Sequence, residues 1–214
     1  TSKLAAWFQS QGHDILRLCL PEWDMTECGN TELVMNRIES AVEARQPVLV
    51  WISIPCTAWC AWQRINLAVG SDDLVRRVTL ERQESRRMMA EVVHAMRTAK
   101  EEGWPVRWAF EWPGRCDGWS DPAMAPLLDY VPDEVRFDGC AYELTGEVGG
   151  VSKPLRKPWK VRSNEVRLGA LQRKCPGHAE HYECRGELAK KSELYTEPLV
   201  ERIGQLITGR VGVP

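Results

Sequence analysis

The sequence carries no overall excess of positive charge: 28 lysines and arginines face 30 aspartates and glutamates, for a net charge of −2. Global basicity, the broadest sign of a nucleic-acid binder, is therefore missing, although a local stripe is still open. No apolar run approaches the roughly 18 residues that a membrane-crossing helix needs, so no membrane partner is expected. The opening residues, TSKLAAWFQSQG, lack a charged segment followed by an apolar one, and no export signal is expected. Internal repeats and low-complexity tracts are also missing, which argues against a solenoid or a disordered tail.

What is present is ordinary in bulk. The 214 residues, 43% hydrophobic and 27% charged, suit one medium domain with a proper core. Ten tryptophans and eight cysteines are less usual. Trp51, Trp59, Trp62, Trp108 and Trp112 flank two strand ends, where core packing is their simplest role. A chain of this length without an export signal does not need disulfide staples, so reduced thiols and an intracellular location, nuclear or cytoplasmic, are expected.

Periodicity gives the order of elements. KLAAWFQSQG reads as a helix ending on Gly12, DILRLCLP as a strand closed by Pro21, and TELVMNRIESAVEARQ as a helix. PVLVWISIP is apolar without alternation, the pattern of a strand covered on both faces. Residues 72–102 read as a long helix whose seven acidic and seven basic residues balance. WPVRWAFEWP follows as a strand, DEVRFDGCAYEL as a further strand, and EPLVERIGQLITG as the closing helix. Alternation of helices and strands predicts a doubly wound, mostly parallel Rossmann-like α/β sheet. Residues 1–135 are expected to form its core. Residues 136–214 are expected to add a basic loop, a Cys/His segment and the last helix to the same domain.

Ligands of open parallel sheets bind beyond the carboxyl ends of the strands. Two strands here end in reactive groups, Cys56 in WISIPC and Glu111 in FEWP. A thiolate that adds to a ring and an acid that protonates it would make a working pair. The alternatives are a buried cysteine at a strand terminus and a Glu111 carboxylate paired with Arg107 or Arg115. Asp24, in PEWDMTE, would sit at the same rim, where an acid can bind a ribose hydroxyl.

These residues resemble a family. IPC after one strand and FEWP after the next are similar to the Pro-Cys and Glu-Asn-Val motifs of the DNA cytosine-C5 methyltransferases. The resemblance implies Cys56 as the nucleophile towards C6 of an extruded cytosine and Glu111 as the acid that holds the ring. It also implies Asp24 on the cofactor side and S-adenosylmethionine as methyl donor. DMT, IPCTAWCAWQRIN, FEWP, DGCAYEL and KPLRKPWKVRSN together resemble, over nearly the whole chain, the methyltransferase-like domains of retroelement polyproteins. The sequence departs from the pattern at Trp112, where the family has Asn, and at Cys60, where relatives often have Ser. It also has no counterpart of the glycine-rich turn and first strand that cradle the cofactor, so the expected sheet is a class I methyltransferase-like one without its first strand. A non-catalytic, zinc-containing nucleic-acid-binding module of a mobile-element polyprotein is the second expectation.

The segment KCPGHAEHYECRGE spaces Cys175, His178, His181 and Cys184 at three-residue intervals, and thiolate with imidazole is the donor set of structural zinc. Four ligands within ten residues would be cramped, so a distant fourth is expected: Cys140 of FDGCAYEL, displacing His178 or Cys184. A deaminase-type catalytic zinc would need His-x-Glu with Pro-Cys-x-x-Cys, which KCPGH does not supply. Finally, residues 153–174 hold eight Lys or Arg against one Glu. Lys157, Lys160 and Arg162 around Trp159 suit a phosphate backbone with a stacked base, DNA rather than RNA by the resemblance; a merely solvated face is the alternative.

Overall fold

The computed structural model describes residues 2–18, 27 and 29–209. In chain order the helices are α1 (Lys3–Ser10), α2 (Asn30–Glu43), α3 (Gln63–Val69), α4 (Asp72–Glu101), α5 (Ala125–Leu128), α6 (Gly186–Lys191) and α7 (Glu197–Thr208). The strands are β1 (Val48–Ile52), β2 (Val106–Pro113), β3 (Asp133–Asp138), β4 (Thr145–Val148), β5 (Val151–Arg156), β6 (Pro158–Ser163) and β7 (Tyr182–Glu183). One sheet has the order β1-β2-β6-β3 and a second the order β4-β5-β7. The fold is mixed α/β. The strand expected over DILRLCLP is not found at residues 14–18, and residues 19–21 lie outside the described part.

The chain divides into two compact units. One comprises Leu18–Glu134 with Val161–Glu165; the other comprises Thr1–Arg17, Val135–Lys160 and Val166–Pro214. In the first, β1 and β2 run parallel, Val48 opposite Val106 and Ile52 opposite Phe110. Even-numbered side chains of β2, Val106, Trp108, Phe110 and Trp112, join one apolar cluster with Met35 and Ile38 of α2 and Met89, Val92, Val93 and Met96 of α4. Those α4 residues recur every three or four positions, the stripe a helix needs to cover a sheet face. The start of α4 is fixed by Ser71, whose Oγ accepts the Leu74 N–H, and Asp72 and Asp73 favour its positive end.

In the second unit β4 and β5 form an antiparallel hairpin and β7 pairs parallel with β5. The hairpin turns on Gly149 and Gly150, whose φ values of +57° and +77° are those of a type I′ turn. The last helix begins at the Thr196 hydroxyl cap and ends at Gly209, φ +70°. At Gly204 it meets α1 so closely that a β-carbon would lie 2.1 Å from the Trp7 ring. That packing groups α1 with the carboxyl-terminal elements, whereas periodicity alone had assigned it to the 1–135 core. Among the described residues no helix is long and apolar enough to cross a membrane.

A candidate metal centre and two strand ends

The carboxyl-terminal unit brings four of the expected metal ligands together. After β3 the chain makes a tight helical turn over Gly139–Tyr142, which buries Cys140 at 5% exposure. Phe137 bridges to Arg173, and the Asp138 N–H donates to the Arg173 carbonyl at 2.9 Å. The Cys175 N–H then donates to Asp138 Oδ2 at 2.9 Å. Gly177, at φ +103°, turns the loop back so that His178 and His181 face the same spot.

The ligand atoms of Cys140, Cys175, His178 and His181 all lie within 4.8 Å of one another. Cys175 Sγ is 3.5 Å from His178 Nδ1 and 3.3 Å from His181 Nε2. With metal bonds of about 2.3 Å to sulfur and 2.0–2.1 Å to nitrogen, tetrahedral ligand atoms stand about 3.3–3.8 Å apart. The group therefore matches a Cys₂His₂ shell slightly expanded. Cys184, the remaining expected ligand, is not part of it; its Sγ lies 3.3 Å from Ser192 Oγ.

Electrostatics divide the two sulfurs. Backbone N–H groups, Gly177 first and His178 after it, lower the Cys175 thiol to about 6, helped by the Cys140 thiol and the His178 ring. Burial raises Cys140 to about 11, reinforced by its hydrogen bond to Cys175 and the charge there. Alone, the pair is one thiolate and one thiol. A divalent cation at their centre would convert both to thiolates, with release of a proton.

The strand ends are arranged differently. Glu111 is buried at 7% exposure, and its Oε2 accepts the Ser53 hydroxyl at 2.6 Å across the parallel pair β1–β2. It belongs to the odd-numbered side of β2 with Arg107 and Ala109. Cys56 follows Pro55 and caps the turn Thr57–Trp59, half-buried against the apolar cluster built on the even-numbered side. Arg107 pairs with Glu165 at 3.3 Å. Asp24 lies outside the described residues.

Around Cys56 the aromatic rings are structural. Trp112 Nε1–H donates to the Ile54 carbonyl at 2.8 Å, and Trp59 Nε1–H donates to Ser85 Oγ at 2.9 Å. Arg82 and Arg86 lie over the Trp59 ring, 4.8 and 5.2 Å from its centre. Burial raises the nearby Cys116 thiol to about 12, against a smaller lowering by its backbone hydrogen bond with Gly118. Cys116 is thereby held as a neutral thiol. The exception is Trp62, the one exposed tryptophan among the described residues at 58%, with Ile65 and Val69 on the same helical face.

The basic stripe does not present Trp159 for stacking, which corrects the expected base platform. Trp159 is 1% exposed, with its ring against Phe137 and Tyr195. Lys157 reaches back over that ring, 5.2 Å from its centre, and donates to the Ser192 carbonyl at 2.8 Å. Lys160 is buried. Arg162 donates to the Val131 carbonyl at 3.0 Å and pairs with Glu134 at 3.4 Å. Two residues with site roles, Asp138 and Ser53, escaped the sequence reading. Adjacency to Gly139-Cys140 was a faint signal for Asp138; for Ser53 there was none.

Scans against protein families, curated proteins and solved structures found no match to this chain.

Proposed function

We propose that Cys140, Cys175, His178 and His181 hold one zinc ion in a closed structural site, and that the chain is a methyltransferase-like, doubly wound α/β domain braced by that ion. The observation that carries the metal reading is the convergence of two sulfurs and two imidazole nitrogens within 4.8 Å, drawn from segments 35 residues apart. Two thiolates and two imidazoles fill a tetrahedral shell, so no position is left for a substrate, and the ion's part is to pin the 175–181 loop to the turn after β3. Thiolate ligands of this kind suit a reducing, intracellular setting, nuclear or cytoplasmic. The test is metal analysis of protein purified without chelator. One zinc per chain is expected; a chain without bound metal that also takes up none on addition contradicts the reading.

A second reading, that the carboxyl ends of β1 and β2 handle a nucleobase in DNA, is favoured by Glu111. A carboxylate buried at a strand end and gripped by Ser53 has the rigidity needed to hold a heterocycle by its ring nitrogen. Cys56, half-buried beyond the end of β1, is the nucleophile the family pattern implies. Residues of this chain supply no glycine-rich turn for S-adenosylmethionine, so no step is assigned to that cofactor. Incubation with an oligonucleotide carrying 2-pyrimidinone at the target base, to which a thiolate adds without a methyl donor, is expected to give a covalent adduct that Cys56→Ser abolishes. Absence of adduct, with equal binding of cytosine-containing and abasic strands, contradicts this second reading.

A further inference from the structure

The four ligands are not held equally. Cys140 and Cys175 are joined by backbone: the Phe137–Arg173 bridge, the Asp138 N–H on the Arg173 carbonyl, and the Cys175 N–H on Asp138 Oδ2. Phe137 and Cys140 are buried, and the Tyr142 hydroxyl, from the same turn, donates to the Leu171 carbonyl at 2.8 Å. His178, by contrast, lies in a run, residues 176–180, that is exposed throughout. That arm is anchored by an exposed ion pair between Lys153 and Glu180, by the Tyr182 hydroxyl on the Val151 carbonyl at 3.3 Å, and by the two-residue strand β7. An exposed ion pair contributes little order.

We infer that the centre loads in two steps, onto a Cys140–Cys175 half-site already formed by the backbone and then by closure of the His178–His181 arm, and that Asp138 is the positioning residue which fixes the half-site. Asp138 does this with one carboxylate oxygen: it holds the amide of Cys175 while its own amide is tied to Arg173, so the two sulfur-bearing segments are locked in register. Partners of this kind beyond the ligands shift metal affinity by about 10–100-fold. Closure of the arm also sets one wall of a cavity of about 690 Å³, because His181 lines it beside Tyr182 and Leu188. The inference rests on the metal reading above and adds the order of assembly and the role of Asp138.

Two measurements on the full chain test it. In competition titrations with Zn²⁺, Asp138→Ala is expected to lose about 10–100-fold in affinity, whereas Asp138→Asn, which keeps an oxygen acceptor, stays within a few-fold of the wild type. The Co²⁺ charge-transfer spectrum at saturation is expected to be unchanged in both, since no ligand is lost. Wild-type affinity in Asp138→Ala, or equal loss in both variants, overturns the positioning role. Hydrogen exchange on the metal-free wild type needs no variant. Amides of Asp138 and Cys175 are expected to be protected already, and amides of residues 178–185 to gain protection only when Zn²⁺ is added. Simultaneous gain in both segments overturns the two-step order. Failure of the wild type to bind any metal would remove the zinc proposal itself, and the protection of Asp138 and Cys175 is read either way.

Discussion

Gly118→Ala probes the scaffold beneath the Cys56 turn. Gly118 has no positive φ, so alanine meets no backbone strain there. The obstacle is space: its β-carbon would lie 2.3 Å from Trp112 Cζ3, 2.8 Å from Trp112 Cη2 and 3.1 Å from Trp59 Cγ. Neither ring can yield freely, because Trp112 is tied to the Ile54 carbonyl and Trp59 to Ser85. Overpacking of a tight core costs about 1–3 kcal/mol. A swing of Trp112 would also break its hydrogen bond, adding about 1 kcal/mol. The stiffer unfolded chain returns about 0.4–1 kcal/mol. The net loss is about 1–3.5 kcal/mol, which for a chain of this size lowers Tm by roughly 2–14 °C. Urea and thermal unfolding, followed by tryptophan fluorescence, measure it. Gly169→Ala is the control, since nothing stands within 4 Å of its β-carbon, and a change under about 1 kcal/mol in the stabilising direction is expected. A Gly118→Ala protein as stable as the wild type would mean that the Trp59 and Trp112 rings yield to the added methyl group and are not packed tightly against Gly118.

Three further outcomes are expected. Cys140→Ser should lower bound zinc well below one per chain while Cys184→Ser leaves it at one, as read by a chromogenic metal-release assay; loss of metal in Cys184→Ser contradicts the assigned ligand set. Asp121 is held below the usual carboxylate range, first by its hydrogen bond from Arg86, then by the Ala123 amide and the charges of Arg86 and Arg82, against an opposing effect of burial. Its folded pKa being depressed, its contribution is complete above about pH 3.9 and is lost as pH falls through the folded value, so Asp121→Asn should flatten the acid limb of stability below about pH 4; an unchanged limb contradicts this. Trp159→Ala should cost about 3–5 kcal/mol in urea unfolding, as loss of a core ring does, and a marginal cost would restore Trp159 as a surface group.

Much of the architecture could be read from local signals. The long helix α4 was legible over residues 72–102, with its buried face in the spacing of its methionines and valines, because a helix is specified by near neighbours. Cramped three-residue spacing in CPGHAEHYEC argued for a distant fourth donor, and the structure groups Cys140 with Cys175, His178 and His181. Other features depend on partners far along the chain. The lysines near Trp159 read as a charged stripe, yet lysine stems cover apolar surface, and Lys157 lies over the very ring it was expected to accompany. Arg107 finds Glu165, 58 residues away, and Glu111 finds Ser53, also 58 away, pairings no local pattern encodes. The position of β6 between β2 and β3 likewise follows from long-range pairing.

The zinc K-edge absorption fine structure of the purified protein tests the metal centre most directly. Two sulfur scatterers near 2.3 Å and two nitrogen scatterers near 2.0–2.1 Å are expected. A shell of three sulfurs and one nitrogen would bring Cys184 in and displace a histidine, and a shell of light atoms alone would contradict the centre altogether.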